Sequence, residues 1–180
     1  MEKMETIGQI IGGVALYFSC FRFLKTKKVE LFRLSFLASL FYIIHYFLIG
    51  AIAGCYTVIL ATIRDLYIYE REKHHKKHRS RKLYNNAHVF IALFLAYAIL
   101  IALNLDQPKN LLPLSASLSN LCFVWFISNK TTLKVASGVS TIPWLCYDII
   151  SHSYAGIMAN LLQLTAIFTG TKRDKKRRLK

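Results

Sequence analysis

The chain has 180 residues, a formal net charge of +15, a hydrophobic content of 54% and a mean hydropathy of +0.37. A soluble domain of this length does not need so much apolar sequence, and here that sequence is concentrated in long runs. The positive charge alone would fit a nucleic-acid-binding protein. However, the basic residues lie between apolar runs of membrane-spanning length, which favours an integral membrane protein with little room for a soluble domain.

Seven apolar segments follow one another along the chain, each close to the roughly 20 residues that a membrane-spanning helix needs. They cover residues 7–24, 31–49, 51–69, 87–103, 111–127, 133–150 and 154–170. They are too long and too continuously apolar for the alternating pattern of a membrane β-barrel. The sequence therefore predicts an all-α integral membrane protein with seven transmembrane helices. The first segment lacks a positively charged start and a cleavage site, so it is interpreted as a retained helix.

Basic residues predict the orientation. They cluster in four regions that fall on one side of a seven-helix topology, namely residues 25–33, 71–82, 130–134 and 172–180. The opposite side carries only Lys3 and Lys109. Because cytoplasmic loops carry an excess of Lys and Arg, the N-terminus is predicted outside and the C-terminus in the cytoplasm.

An offset of 102 residues superimposes the first three predicted helices on the last three without a gap. Cys20-Phe21 then meets Cys122-Phe123, and Ala53-Gly54 meets Ala155-Gly156. A unit of three helices ends on the side opposite its start, and the fourth helix restores the direction, so the two triplets are parallel. We predict a 3+1+3 layout of two triple-helix bundles joined by a linker helix. The predicted units are residues 1–70, a basic cytoplasmic loop 71–86, the linker helix 87–104, the second bundle 105–171 and a basic tail 172–180.

This layout, with its parallel repeat and outside N-terminus, resembles the SWEET and PQ-loop transporter superfamily. The stretch from His45-Tyr46-Phe47 through Gly54 to Arg64 more closely resembles the bacterial inner-membrane YgjV family, which is placed in that superfamily. The resemblance covers nearly the whole chain. It implies two three-helix bundles around a central substrate path, with one half rocking against the other, in the bacterial inner membrane.

The sequence departs from the sugar-transporter pattern in two respects. No Pro-Gln dipeptide is present, and the four-proline hinge set of SWEET proteins is incomplete. Pro113 and Pro143 have Ile11 and Phe41 at the equivalent places in the first half. These departures put a sugar substrate and the SWEET hinge mechanism in doubt.

Polar residues deep in the predicted helices are candidates for a substrate site, because such groups are costly in a membrane and often line a cavity. The candidate substrate-binding residues are Tyr42, His45, Asn120, Trp144, Tyr147, Asn160 and Gln163. Asp148 and Arg64 are candidates for a gate or for coupling. The alternative for Arg64 is that it reaches the inner headgroups.

His45 corresponds to Tyr147 in the repeat, beside Asp148. One interpretation is that the three residues form a substrate or proton site across the axis, since an imidazole suits proton transfer near neutral pH. The other is a packed histidine, with Asp148 reaching the outer headgroups.

Tyr42 and Trp144 also correspond in the repeat. They either stack against a planar substrate or simply pack the helices together. Asn120, Asn160 and Gln163 lie in the middle of predicted helices, where amides either bind a ligand or bond neighbouring helices. Asn160 resembles in placement the helix 7 asparagine that SWEET transporters use for substrate.

Other chemistry is predicted to be absent. His74, His75 and His78 lie in a strongly cationic segment without a nearby carboxylate or cysteine, so no metal site is expected. No catalytic or cofactor motif is present, and the protein is predicted not to be an enzyme and to need no cofactor. The four cysteines lack CxxC spacing and are expected to be reduced.

The sequence thus predicts a small-solute transporter or facilitator that works by alternating access. The alternatives are a membrane receptor or binding protein on the same fold, as the related KDEL-receptor architecture implies, and a non-transport accessory protein or lipid-modifying enzyme. The predicted partners are a small-molecule substrate and anionic lipids at the basic loop and tail, with no nucleic acid. A homo-oligomer is left open.

Overall fold

A computed structural model describes residues 2–23, 28–75, 87–126 and 130–178. This part of the chain forms seven α-helices and contains no strands, which confirms the all-α prediction. The helices are α1 (Glu2–Phe23), α2 (Lys28–Leu48), α3 (Ile52–His75), α4 (Ala87–Leu103), α5 (Pro108–Phe126), α6 (Lys130–Ile150) and α7 (Tyr154–Arg178).

Six of these helices pack as a closed ring. Going around it, α1 contacts α2, α2 contacts α3, α3 contacts α5, α5 contacts α6, α6 contacts α7, and α7 returns to α1. Helix α4 lies outside the ring and contacts α5 and α3. Its side chains Leu93 and Tyr97 pack with Leu114 and Leu121 of α5 in one buried cluster. The fold therefore has a central axis that is surrounded by every helix except α4.

Apolar side chains cover much of the outside of the fold, and several polar side chains are buried inside it. Large apolar side chains are exposed on the outside, such as Ile10 (64% exposed), Phe47 (62%) and Leu103 (74%). Polar side chains are buried inside, including His45 and Asp148. Such an extended apolar exterior is suited to contact with lipid chains.

By length and composition, one helix of the described residues qualifies as a membrane span, Lys3–Phe21. Arg33–Leu48, Ala87–Leu103 and Tyr154–Thr169 are shorter apolar stretches. The remaining predicted spans stay predictions.

The turns after α2 and α6 have the same geometry. Ala51 N donates to Tyr46 O (2.8 Å), and at the equivalent place Ser153 N donates to Asp148 O (2.9 Å). Gly50 (φ 73°) and its counterpart His152 (φ 52°) both adopt the left-handed conformation that closes a Schellman cap. This shared turn spaces the following helix identically in the two halves of the chain.

Helices α3 and α7 extend furthest beyond the segments that the sequence predicts. Helix α3 continues to His75 and α7 to Arg178, into residues that we assigned to the basic loop and tail. The reason is that Lys, Arg and Glu are good helix formers in water as well as in the membrane. His78 and the rest of the predicted loop lie outside the described residues.

All four cysteines are free, in agreement with the expected reduced state. Cys55 is buried, whereas Cys146 is exposed.

Candidate functional site

A cavity of about 240 Å³ lies along the ring axis. Every helix of the ring contributes to its lining, and α4 contributes nothing. The polar and aromatic lining residues are Ser19, Ser35, Ser39, Tyr42, Tyr46, Arg64, Ser117, Asn120, Ser140, Thr141, Trp144, Asn160 and Gln163. A predominantly apolar chain thus surrounds a cavity of small-molecule size whose lining carries many polar groups.

On each helix, the helical spacing places the lining residues on the face that points to the cavity. On α2, Ser35, Ser39, Tyr42 and Tyr46 recur at intervals of three or four residues, so they lie on one face. On α7, Asn160 and Gln163 are three residues apart. The same spacing places Ser117 and Asn120 together on α5, because residues three or four apart share a helical face.

At the turn side, a buried hydrophobic cluster adjoins the cavity through Tyr46. We call this cluster the plug; its residues are Tyr46, Ala51, Ala53, Cys55 and Tyr147. Tyr46 belongs both to the plug and to the cavity lining. The rings of Tyr46 and Trp144 lie with their centroids 6.0 Å apart, and those of Tyr46 and Tyr147 6.4 Å apart.

Asp148 connects the cavity to the plug. Its carboxyl group is fully buried, and each oxygen accepts a hydrogen bond. Tyr46 OH donates to Oδ1 at 2.8 Å, and Asn160 Nδ2 donates to Oδ2 at 2.6 Å. Two side chains that line the cavity are therefore oriented by one carboxyl group behind the lining.

Gly156 makes room for this carboxyl group. A Cβ atom on Gly156 would lie 2.5 Å from Oδ2 and 2.6 Å from Oδ1 of Asp148, closer than van der Waals contact allows. Gly156 also lines the cavity. The carboxyl group therefore packs directly against the backbone of a residue that lines the cavity.

His45 is held at both ring nitrogens in the interior of the turn side. Nδ1 lies 2.7 Å from Gly8 O, and Nε2 lies 2.8 Å from Ser153 Oγ. A carbonyl oxygen only accepts, so Nδ1 carries a proton and donates to Gly8 O. Ser153 Oγ in turn accepts from Gly156 N at 3.2 Å. These bonds link α1, α2 and the start of α7.

Tyr147 fills the equivalent position in the other half. Its hydroxyl oxygen accepts from Gly54 N at 3.0 Å, and the side chain is 1% exposed. Where His45 reaches the start of α7 through Ser153, Tyr147 reaches the start of α3 directly. The longer phenol replaces the imidazole and the serine hydroxyl together.

The structure divides the nine candidate residues into two groups. Tyr42, Arg64, Asn120, Trp144, Asn160 and Gln163 line the cavity. His45, Tyr147 and Asp148 do not line it and lie buried at the turn side. These three are joined to it through Tyr46, Asn160 and Gly156. Asp148 is fully buried, so its carboxyl group does not reach outer headgroups as one interpretation of the sequence had it.

Arg64 lies in the lining with its charge paired locally. Its Nε donates to Asp65 Oδ1 at 2.8 Å, and Nη2 lies 2.8 Å from the same oxygen. The Arg64 side chain is 9% exposed, whereas that of Asp65 is 49% exposed. The guanidinium group thus faces the interior while its counterion is partly outside.

The amide of Asn120 has an unused acceptor. Its Oδ1 is buried in the cavity lining and has no hydrogen-bond partner. Nearby, Trp144 Nε1 donates to Ser117 Oγ at 3.1 Å. A buried acceptor without a partner is costly unless a ligand or water supplies a donor.

Sequence reasoning did not select Tyr46, Ser117, Ser153 or Gly156 as site residues. A signal for Tyr46 was present, because Tyr46 corresponds to Asp148 under the 102-residue offset. The role of Ser153 depends on the turn geometry after α6, and no motif in the sequence marks it.

His45 and Ser153 have the spacing of a base and a hydroxyl nucleophile, but their surroundings do not fit this chemistry. Ser153 is fully buried and does not line the cavity, so no substrate reaches its oxygen. The partner of His45 Nδ1 is a carbonyl and not a carboxylate. Among the described residues, no group of three metal-ligating side chains lies together.

These observations define a class of protein: an all-helical chain with an apolar exterior and a polar central cavity. A model of the Imp-YgjV family, described as bacterial inner membrane protein, matches residues 6–178. The chain belongs to this family, which confirms the resemblance to the YgjV family and the inner-membrane location. Comparison with curated proteins and with solved structures finds no match.

Proposed function

We propose that the protein is a small-solute transporter or facilitator that works by alternating access. The observation that carries this proposal is the central cavity. All six ring helices line it, and the plug adjoins it at one side. A cavity of about 240 Å³ holds a small solute. Its position on the axis, where the two halves of the chain meet, is where a rocking motion changes access.

The packing supports the 3+1+3 arrangement. Within each proposed triplet, neighbouring helices are in contact, α1 with α2 and α2 with α3, then α5 with α6 and α6 with α7. The triplets meet at two junctions, α3 with α5 and α1 with α7. These junctions correspond to each other under the repeat. Two equivalent junctions are suited to one half tilting against the other.

The proposed orientation assigns the plug to the outer side. If the basic side is cytoplasmic, the turns after α2 and α6 face outward. The hydrogen bonds of His45, Tyr46 and Tyr147 then form an outer gate in its closed state. Opening that gate requires the bonds from Tyr46 to Asp148 and from His45 to Ser153 to separate.

Binding, and not catalysis, is the role we propose for the site. The buried position of Ser153, which does not line the cavity, supports this. Without a nucleotide-binding motif in the sequence, transport would be facilitated or driven by a gradient.

Thiol accessibility tests alternating access. Tyr42 is replaced by Cys in a variant whose four native cysteines are changed to Ser or Ala, and a membrane-impermeant maleimide is added to either face of sealed vesicles. We expect labelling from both faces, because position 42 lines the cavity. Ala102→Cys on the exposed surface of α4 is the control and should stay unlabelled in the lipid. Labelling of position 42 from one face alone would contradict alternating access.

A further inference from the structure

The lining of the cavity offers hydrogen-bond acceptors that the protein itself does not satisfy. Asn120 Oδ1 is buried without a partner. The amide of Asn160 is oriented by Asp148, since Nδ2 is used in the 2.6 Å bond to the carboxyl group. Its Oδ1 is therefore the end of the amide that remains for a ligand. A ligand that fits this lining must bring hydrogen-bond donors.

The two charged groups at the cavity, Arg64 and Asp148, differ in whether an oppositely charged group lies beside them. Arg64 is the charged side chain of the lining, and Asp65 neutralises it. The carboxyl group of Asp148 is bonded to Tyr46, Asn160 and Ser153, which are neutral. When it is ionised, this carboxyl group is a buried anion whose hydrogen-bond partners carry no charge, which is costly. A cationic ligand would supply the missing charge.

The field of Asp148 reaches the cavity at Gly156. There the carboxyl group packs against the backbone of Gly156 so closely that a Cβ atom would lie 2.5 Å from Oδ2. Interactions between charges are strong in such an interior, where little water screens them. Tyr42, Tyr46 and Trp144 line the same region, and aromatic rings attract organic cations.

We propose that the cavity binds a small organic amine in its protonated form. The ammonium group donates to the amide oxygens of Asn120 and Asn160 and is attracted by the Asp148 carboxyl group behind Gly156. Asp148 is a positioning residue, since it is fully buried and acts through Asn160 and through its charge. This inference rests on the proposed function and names the substrate class of the same cavity.

Matched pairs of probes test the charge of the ligand. Binding of 4-amino-1-butanol and of 1,4-butanediol to the purified full-length protein is measured by calorimetry, as is binding of ethanolamine and of ethylene glycol. We expect each amine to bind on the order of tenfold more tightly than its diol, because its charged donor makes stronger hydrogen bonds. Equal or tighter binding of the diols, or no binding of any probe, would overturn the inference.

Three variants test the residues. Asp148→Asn should weaken amine binding on the order of tenfold and change diol binding little, because it removes the charge and keeps one acceptor. Asn120→Leu should weaken amine binding without disturbing Asp148, and it serves if Asp148→Asn does not fold. Asp106→Asn, in the exposed turn before α5, is the matched control and should leave binding unchanged. Amine affinity that survives both cavity variants would contradict the assignment.

Failure of this inference is distinguishable from failure of the proposed function. If the diols bind preferentially while position 42 is labelled from both faces, the protein is a transporter of another solute class. If amines bind with the expected preference while position 42 is labelled from one face only, the amine site stands and transport by alternating access does not.

Discussion

Tyr46 and Asp148 are 102 residues apart in the chain, and the hydroxyl of the first donates to the carboxyl group of the second at 2.8 Å. The offset between them is the one that relates the two halves of the sequence. Each residue provides the carbonyl that caps its helix, and each side chain is buried, Tyr46 at 3% and Asp148 at 0% exposure. The two halves are thus bonded to each other through equivalent positions on α2 and α6.

The first prediction concerns this bond. Tyr46→Phe removes one donor from a buried carboxyl group, so we expect a loss of about 1.5–3 kcal/mol in the free energy of unfolding. Asp148→Asn weakens the same interaction from the other side. In a double-mutant cycle, the double variant should therefore lose less free energy of unfolding than the sum of the two single-variant losses. The measurement is thermal or denaturant unfolding of the purified protein in detergent.

Tyr56→Phe is the control for this cycle, because Tyr56 lies on α3 and is 48% exposed. It should change the free energy of unfolding by no more than about 0.5 kcal/mol. Strict additivity of Tyr46→Phe and Asp148→Asn would show that the bond between them contributes nothing to stability.

The second prediction compares two glycines. Gly156→Ala places a methyl group 2.5 Å from Oδ2 and 2.6 Å from Oδ1 of Asp148, so the carboxyl group must move and release Asn160 or Tyr46. We expect a loss of at least about 1–3 kcal/mol, as for other overpacked interiors. Gly13→Ala is the matched change on α1, where a Cβ meets nothing within 4 Å. It should raise stability by up to about 1 kcal/mol, because Ala favours the helix.

Equal free energies of unfolding for Gly156→Ala and Gly13→Ala would contradict this prediction. Unfolding of both proteins in the same detergent decides it. A cavity probe that binds wild type should also bind Gly13→Ala and should lose affinity for Gly156→Ala.

Much of this architecture is predictable from the sequence. Long apolar runs predict an all-helical membrane protein, since no other pattern of this length buries its backbone polar groups in lipid. The repeat offset pairs Tyr42 with Trp144, and both line the cavity. Asn120, Asn160, Gln163 and Arg64 could be selected because a polar group in an apolar helix needs a polar environment.

The arrangement at the turn side was not predictable in the same way. His45 and Tyr147 were selected as ligand-binding residues, yet they lie outside the cavity lining because their partners are the backbone atoms Gly8 O and Gly54 N. Sequence patterns identify polar side chains but not the carbonyl or amide group that meets them. The connection through Ser153 depends on the left-handed turn at His152, and a histidine in the sequence does not by itself predict that conformation.

The third prediction uses that turn. Gly50 and His152 occupy the same left-handed position after α2 and α6. Gly50→Ala should cost about 1 kcal/mol, because an L-residue with a side chain is strained there whereas glycine is not. His152→Ala should change stability by no more than about 0.5 kcal/mol, since both residues bear the same strain and the His152 side chain is exposed.

Unfolding measurements on the two alanine variants provide the test, each against wild type. If His152→Ala is as destabilising as Gly50→Ala, then the His152 side chain contributes to stability and the two turns are not equivalent in energy.

The last prediction concerns Ser153, which satisfies two buried groups at once. Ser153→Ala leaves His45 Nε2 and Gly156 N without their partner, so we expect a loss of about 1–3 kcal/mol in the free energy of unfolding. His45→Leu should cost less in the Ser153→Ala protein than in wild type, because the hydrogen bond is already lost. Ser119→Ala is the control, since that hydroxyl bonds to Ser115 O of its own helix and is exposed. If Ser153→Ala and Ser119→Ala have equal effects, the link between α2 and the start of α7 does not stabilise the closed turn side, and the gate assigned to it would lose its main support.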